Sequence, residues 1–150
     1  MQESISAPQV GGIVKLTGFI LKTSLIIEMI GAALLAPVFC NDLGIAKGLW
    51  YSLFHSISAF CNAGFDLFGI KEPFSSLTFY HSNIYLNIII MLLIITGGIG
   101  FLVWGDIGTH KHRIRRFSLQ SKVVLMTSAV LIVLPALYFF FFEYDLSLIH

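Results

Sequence analysis

Three stretches of the chain are apolar almost without interruption: residues 16–39, 84–104 and 123–142. Each approaches the ~20 residues that a helix needs to cross a hydrocarbon core about 30 Å thick. Between the first two lies Trp50-Tyr-Ser-Leu-Phe-His-Ser-Ile-Ser-Ala-Phe-Cys-Asn-Ala-Gly-Phe-Asp-Leu-Phe-Gly69. This stretch is too short and too polar to span. Its first half, residues 49–60, reads as a helix of aromatic and small residues that breaks at Asn62-Ala63-Gly64. The pattern predicts an all-α integral membrane protein: helix, re-entrant half-helix, helix, then one further transmembrane helix.

Composition supports this reading. The chain of 150 residues is 57% hydrophobic and only 11% charged, against roughly 25% charged in soluble domains. Mean hydropathy is +0.88, and phenylalanine occurs 14 times. The net charge of +1 matters less than its distribution. His110-Lys-His-Arg-Ile-Arg-Arg116, with Lys122 behind it, concentrates the basic residues between the second and third spans. Basic loops stay on the cytoplasmic side, so the N-terminus is expected inside, helix 49–60 outside-facing and the C-terminal end outside. Lys47, Lys71 and Glu72 mark wet parts of the external segment. No secretory leader is expected at the N-terminus. The basic cluster reads as an orientation signal and a contact for anionic lipid headgroups; it lacks the interleaved aromatics that would suggest nucleic acid.

Several residues have two readings. Lys22 and Glu28 are costly in lipid and should face protein or water; snorkelling and packing compete with a place on an ion path. Gly31, Ala32, Ala33 and Ala36 allow close helix packing. Cys40 and Cys61 read as two buried thiols rather than a disulfide. His55 and His81 are hydrogen-bonded structure, or haem ligands of a membrane electron carrier. A purely structural membrane subunit is a further alternative. No nucleophile with its base, and no nucleotide-binding glycine loop, is visible, so no enzymatic activity is expected.

The turn Asn62-Ala63-Gly64-Phe65 is a helix C-cap in isolation. Its place between two spans favours another use. Non-helical backbone at membrane depth is tolerated only where protein buries it or where it lines a wet cavity, and pores present such carbonyls to bare cations. Glycine reaches positive φ without steric cost, and a helix C-terminus carries partial negative charge.

Phe54-His-Ser-Ile-Ser-Ala-Phe-Cys-Asn-Ala-Gly-Phe-Asp-Leu-Phe-Gly69 resembles a filter segment of the bacterial TrkH/KtrB family of potassium transporters. Ile94-Ile-Thr-Gly-Gly-Ile-Gly-Phe101 resembles the glycine motif of the inner helix that follows such a filter. Met1-Gln-Glu-Ser-Ile-Ser with Gly11-Gly-Ile-Val-Lys15 resembles the cytoplasmic connector before the second repeat. The resemblance implies a potassium-channel-type architecture of four repeats, each helix–pore helix–helix, around one pore. It divides the chain into connector 1–15, repeat 16–105, cytoplasmic loop 106–122, and 123–150 as the first helix of a following repeat. It places Asn62, Ala63, Gly64 and Phe65 at the filter, with Ser56, Ser58 and Asp66 as support. Asp66 is then either a mouth carboxylate or a residue that steadies the turn. Gly97, Gly98 and Gly100 become the inner-helix glycines, with Asp106 pairing the basic loop. Cys61 stands where relatives have a polar amide. Potassium is the implied substrate and sodium the implied coupling ion, with no cofactor in this chain. The implied partners are the rest of the transporter chain or other copies, a cytosolic nucleotide-binding regulatory subunit meeting loop 106–122, and bacterial plasma-membrane lipid. One filter strand out of four makes the chain read as a fragment.

Overall fold

The computed structural model describes residues 6–70, 75–110 and 117–147, and these are helical apart from short connections. The expectations for Lys71, Glu72 and the cluster 111–116 fall outside the described residues. The helices are α1 (Ser6–Leu43), α2 (Ile45–Phe60), α3 (Ile84–Gly98), α4 (Phe101–His110) and α5 (Leu119–Ser147). Short helical turns at Phe68–Ile70 and Ser76–Tyr80 link α2 to α3. The chain divides between Gly98 and Ile99 into two compact units.

In the first unit, α1 begins ten residues before the expected span and absorbs most of the expected connector. Its span-like stretch is Val14–Leu43. Gly44, at φ +81, turns the chain sharply into α2. α2 starts at Ile45, four residues earlier than the pattern suggested. At 1.5 Å per residue its 16 residues reach about 24 Å, short of a bilayer crossing.

Small residues let α2 lie back along α1. A Cβ on Gly48 would sit 2.4 Å from the Cys40 Cα, and one on Gly31 would sit 2.4 Å from the Ser56 Oγ. Gly48, Ser52 and Ser56 recur every four residues, so they share one face of α2. Ser56 Oγ donates to the Glu28 carbonyl at 2.7 Å, which ties that face to α1. Ser52 Oγ turns back to the Gly48 carbonyl at 2.7 Å and so buries no orphan hydroxyl. On α1, Ala32, Leu35 and Phe39 are buried at helical spacing, while Lys22 is exposed and Glu28 half-buried. α3 runs antiparallel to α1: Tyr85 Oη donates to the Leu34 carbonyl at 3.0 Å, and Leu93 lies against Gly31. Asn83 Oδ1 accepts from the Leu86 N–H at 3.1 Å and starts α3.

The core of this unit is aromatic. Phe68 has ring centroids 5.6 Å from Phe39, 5.0 Å from His55 and 5.4 Å from Tyr80. Phe68 thus returns the chain from the end of α2 to the level of Phe39, near the C-terminal end of α1. The segment is re-entrant: α2 goes in, and residues 61–68 come back.

The expected second span, 84–104, is interrupted. α3 ends at Gly98, α4 starts at Phe101, and Gly100 takes φ +89. Three glycines in four residues lower helix propensity by ~1 kcal/mol each, enough to open the ladder there.

In the second unit, Asp106 of α4 organises the start of α5. Its Oδ2 accepts from the Ser118 N–H at 3.0 Å, from Ser118 Oγ at 2.6 Å and from Ser121 Oγ. Ser118 Oγ in turn accepts the Ser121 N–H at 3.2 Å as an N-cap. A carboxylate at a helix N-terminus is also favoured by the helix dipole. α5 carries the apolar stretch Leu119–Phe142, and none of residues 123–142 is buried. Among the described residues, two helices are long and apolar enough to cross a membrane, or three if α3 and α4 together make one span.

Candidate functional site

The site is the non-helical backbone after α2. Cys61 N–H donates to Ile57, Asn62 N–H to Ala59 and Ala63 N–H to Ser58. The last two bonds form the paired closure of a Schellman motif, with a left-handed residue at C′. That residue is Asn62, at φ +54. The helix cap is therefore Asn62 and not Gly64. Gly64 takes a second positive φ, +72, two residues later. A Cβ there would meet nothing within 4 Å. What the position requires is a backbone conformation, not space.

The next residues are held from α2. Ser58 Oγ donates to the Phe65 carbonyl at 2.7 Å. Tyr51 Oη donates to the Leu67 carbonyl at 3.1 Å, and the Leu67 N–H donates to His55 Nε2 at 3.4 Å. Asp66 Oδ1 accepts from the Phe68 N–H at 2.9 Å. That bond steadies the turn, while Asp66 also borders the cleft beside it. Ser56, expected beside Ser58 as support, instead bonds α1 and is fully buried. Four-residue spacing turns it to the α1 face, away from the turn.

Among the described residues, no hydrogen bond reaches the carbonyl oxygens of Asn62, Ala63 or Gly64. The Phe65 carbonyl, expected with them, is directed at Ser58. All four residues are exposed in this chain. Asn62, Gly64 and Phe65 border a cleft of about 240 Å³ that also takes in His55, Asp66 and Ile94.

Depth follows from the contacts. The middle of Val14–Leu43 falls at Glu28 and Met29, and Ser56 bonds Glu28 one turn before α2 ends. Six to eight residues on from Ser56, the unpaired carbonyls lie past that midpoint, level with the interior of Val14–Leu43. In lipid each unsatisfied backbone group costs several kcal/mol, so this backbone must line water, ion or protein.

The inner-helix glycines divide by role. The Phe60 carbonyl lies flat on Gly97, where a Cβ would stand 1.8 Å from that oxygen. Asn62 Nδ2 reaches the Phe60 and Ile94 carbonyls, both at 3.4 Å. Gly98 is open, with only Asn62 Nδ2 at 3.9 Å from its Cβ position, and Gly100, at φ +89, lies past the end of α3 and accepts the Trp104 N–H at the start of α4. The end of α2 is thus seated on α3 through Gly97 and Asn62.

Both cysteines are free, but the expectation that both are buried is corrected: Cys61 is exposed and Cys40 half-buried. Cys61 follows the last residue of α2, on the outside of the turn. His55 Nδ1 lies 2.7 Å from the Tyr51 carbonyl, so both ring nitrogens face backbone partners and neither is left for haem iron. His81 is exposed and lies 2.8 Å from the Thr78 carbonyl. The Tyr80 hydroxyl, between α2 and α3, is buried without a hydrogen bond of good geometry. Burial first, and the Asp42 carboxylate second, push its pKa up to about 12.

Sequence reasoning missed Tyr51 and His55 as holders of the returning strand. The signal was their spacing with Ser58: positions 51, 55 and 58 share one helical face. It also missed Asn62 as the cap, although asparagine is the commonest non-glycine residue to accept the left-handed conformation.

Residues 2–145 match the sequence profile of the TrkH family, described as a cation transport protein. The potassium/sodium uptake protein NtpJ of Enterococcus hirae is 43% identical over 133 residues, covering 89% of this chain and 28% of that relative. The Ktr system potassium uptake protein B of Bacillus subtilis is 37% identical over 145 residues, covering 97% of this chain and 31% of the relative. The Vibrio alginolyticus protein of the same name is 32% identical over 121 residues, covering 80% and 26%. The chain spans less than a third of the length of these relatives. With an all-helical membrane architecture and a profile match over nearly its whole length, the chain belongs to the TrkH family of cation transport proteins.

Proposed function

We propose that this chain supplies one repeat of a potassium-transporting pore, with the carbonyls of Asn62, Ala63 and Gly64 facing the ion. The observation that carries the reading is the trio of unpaired carbonyls within the length of the span, at the negative end of α2. A cation satisfies oxygens that neither helix nor lipid can. A ring around the ion needs further strands, which come from additional chain or from other copies. The names of the relatives support potassium as substrate, and that of the E. hirae protein adds sodium as an ion taken up; a coupling role for sodium is part of the proposal. Gly97, Gly98 and Gly100 form the inner-helix wall. On the charge pattern, the N-terminus and loop 106–122 are cytoplasmic and α2 enters from outside. That loop meets a cytosolic nucleotide-binding regulatory subunit; the "Ktr system" names of the relatives agree with a transporter of several components.

The test is Gly64→Ser in the full-length transporter. Holding a β-carbon at φ +72 costs roughly 1–2 kcal/mol, and relief by rotation turns the adjoining carbonyls away. Potassium affinity should fall about five- to thirtyfold at normal membrane expression. Wild-type uptake by Gly64→Ser would reduce residues 62–65 to a helix terminus.

A further inference from the structure

One face of α2 holds the returning strand through three side chains, and they differ in chemistry. Tyr51 and Ser58 act through hydroxyls, donating to the carbonyls of Leu67 and Phe65. His55, between them, meets an N–H. Its Nε2 faces the Leu67 N–H, and its Nδ1 faces the Tyr51 carbonyl. A carbonyl can only accept and an N–H can only donate. The partners therefore fix the neutral tautomer with the proton on Nδ1 and a bare Nε2. The ring is 2% exposed, with Phe39, Tyr51, Phe54 and Phe68 around it at centroid distances of 5.0–5.9 Å.

We propose that His55 is a positioning residue for ion selection: its bare Nε2 fixes the strand that carries Gly64 by accepting the Leu67 N–H. This rests on the filter reading of residues 62–64. With Ser58 on Phe65 and Tyr51 on the Leu67 carbonyl, the strand is held at consecutive points just after the unpaired carbonyls. Only the His55 point reverses its polarity on gaining a proton. Nε2–H would then oppose the Leu67 N–H, donor against donor. Among the described residues, the titratable groups around the ring are Tyr51 on α2, Asp66 on the strand and, beyond Phe68, Tyr80. α1 presents Phe39, which is uncharged.

The test compares rubidium uptake, with potassium and sodium as competitors, in the full-length transporter bearing wild type, His55→Phe, His55→Gln or Gly64→Ser. His55→Phe keeps an aromatic ring in the cluster and removes the acceptor. Its KM for potassium should rise about tenfold, the scale of one lost hydrogen bond, with sodium discrimination reduced and kcat near wild type. His55→Gln supplies an acceptor and a donor, and should recover most of the loss. Wild-type KM and discrimination in His55→Phe would overturn the proposal. If His55→Phe does not reach the membrane, the pH profile decides. Wild type should lose potassium affinity on acidification while His55→Gln does not, and identical profiles would overturn it. Gly64→Ser separates the two levels. If it too behaves as wild type, the filter reading fails. If it is impaired while His55→Phe is not, only the role of His55 fails.

Discussion

Gly97→Ala isolates the seat of α2 on α3. The new Cβ would lie 1.8 Å from the Phe60 carbonyl oxygen. Carbon–oxygen contacts in helix interfaces lie at about 3.3–3.6 Å, so the two backbones must part by roughly 1.5 Å. The obstructing atom is backbone and cannot swing aside. Two effects oppose each other. Alanine in place of glycine favours the helix by ~1 kcal/mol, while overpacking costs typically ~1–3 kcal/mol and more when the backbone itself must move. The clash wins, and the movement falls on Phe60, two residues before Asn62. Rubidium uptake at matched membrane levels should fall roughly ten- to a hundredfold. Gly98→Ala is the internal control. Its Cβ would meet only the Asn62 amide, at 3.9 Å, and it gains the same helix propensity, so its uptake should stay within about twofold of wild type. Equal uptake by the two alanine variants, or a larger loss in Gly98→Ala, would refute the seating argument.

Tyr80→Phe should leave thermal stability near neutral pH unchanged or raised, because the buried hydroxyl lacks a well-formed hydrogen bond. With the tyrosine pKa raised from 10.0 to about 12 chiefly by burial, the fold keeps its full stability below pH 10 and loses part of it as pH rises through 12, because the unfolded chain ionises first. Melting curves in detergent should therefore diverge in favour of Tyr80→Phe across that window, and parallel curves would contradict the assignment. Neutralising Arg113, Arg115 and Arg116 together should weaken capture of the cytosolic nucleotide-binding subunit while ion discrimination is retained, with cysteine accessibility at residue 115 confirming an inward-facing loop. Altered discrimination with intact capture would place that loop near the ion path instead.

The sequence pattern carried the helices and the break between them. Long apolar runs, and the polar, small-residue stretch that interrupts them, reflect a solvent requirement that each segment meets by itself. The structure differs where two segments must meet. Gly31, Gly48 and Gly97 are alike in kind, small residues in helices. They differ in what presses on them: a serine hydroxyl, the Cys40 backbone and the Phe60 carbonyl. Periodicity registers one helix at a time and cannot choose the partner. The turn was read correctly as a break, but the capping role belongs to Asn62, whose amide also reaches α3 at Ile94. Local rules favour glycine at such a cap, and tertiary hydrogen bonding overrides them here. Ser56 and Ser58 looked equivalent; a two-residue offset on a helix sends one to α1 and the other to Phe65. Asp106 stood next to a basic cluster and suggested an ion pair; that cluster lies outside the described residues, and the described bonds of Asp106 add a second role, with the serines that open α5.

The central claim is that the unpaired carbonyls after α2 face a potassium ion. Anomalous diffraction from the full-length transporter crystallised with rubidium or thallium tests it most directly. The account predicts an anomalous peak within coordination distance of the Asn62, Ala63 and Gly64 carbonyl oxygens, lost when sodium replaces the heavier ion. Peaks confined to other parts of the molecule, with these three oxygens turned into protein hydrogen bonds, would contradict it.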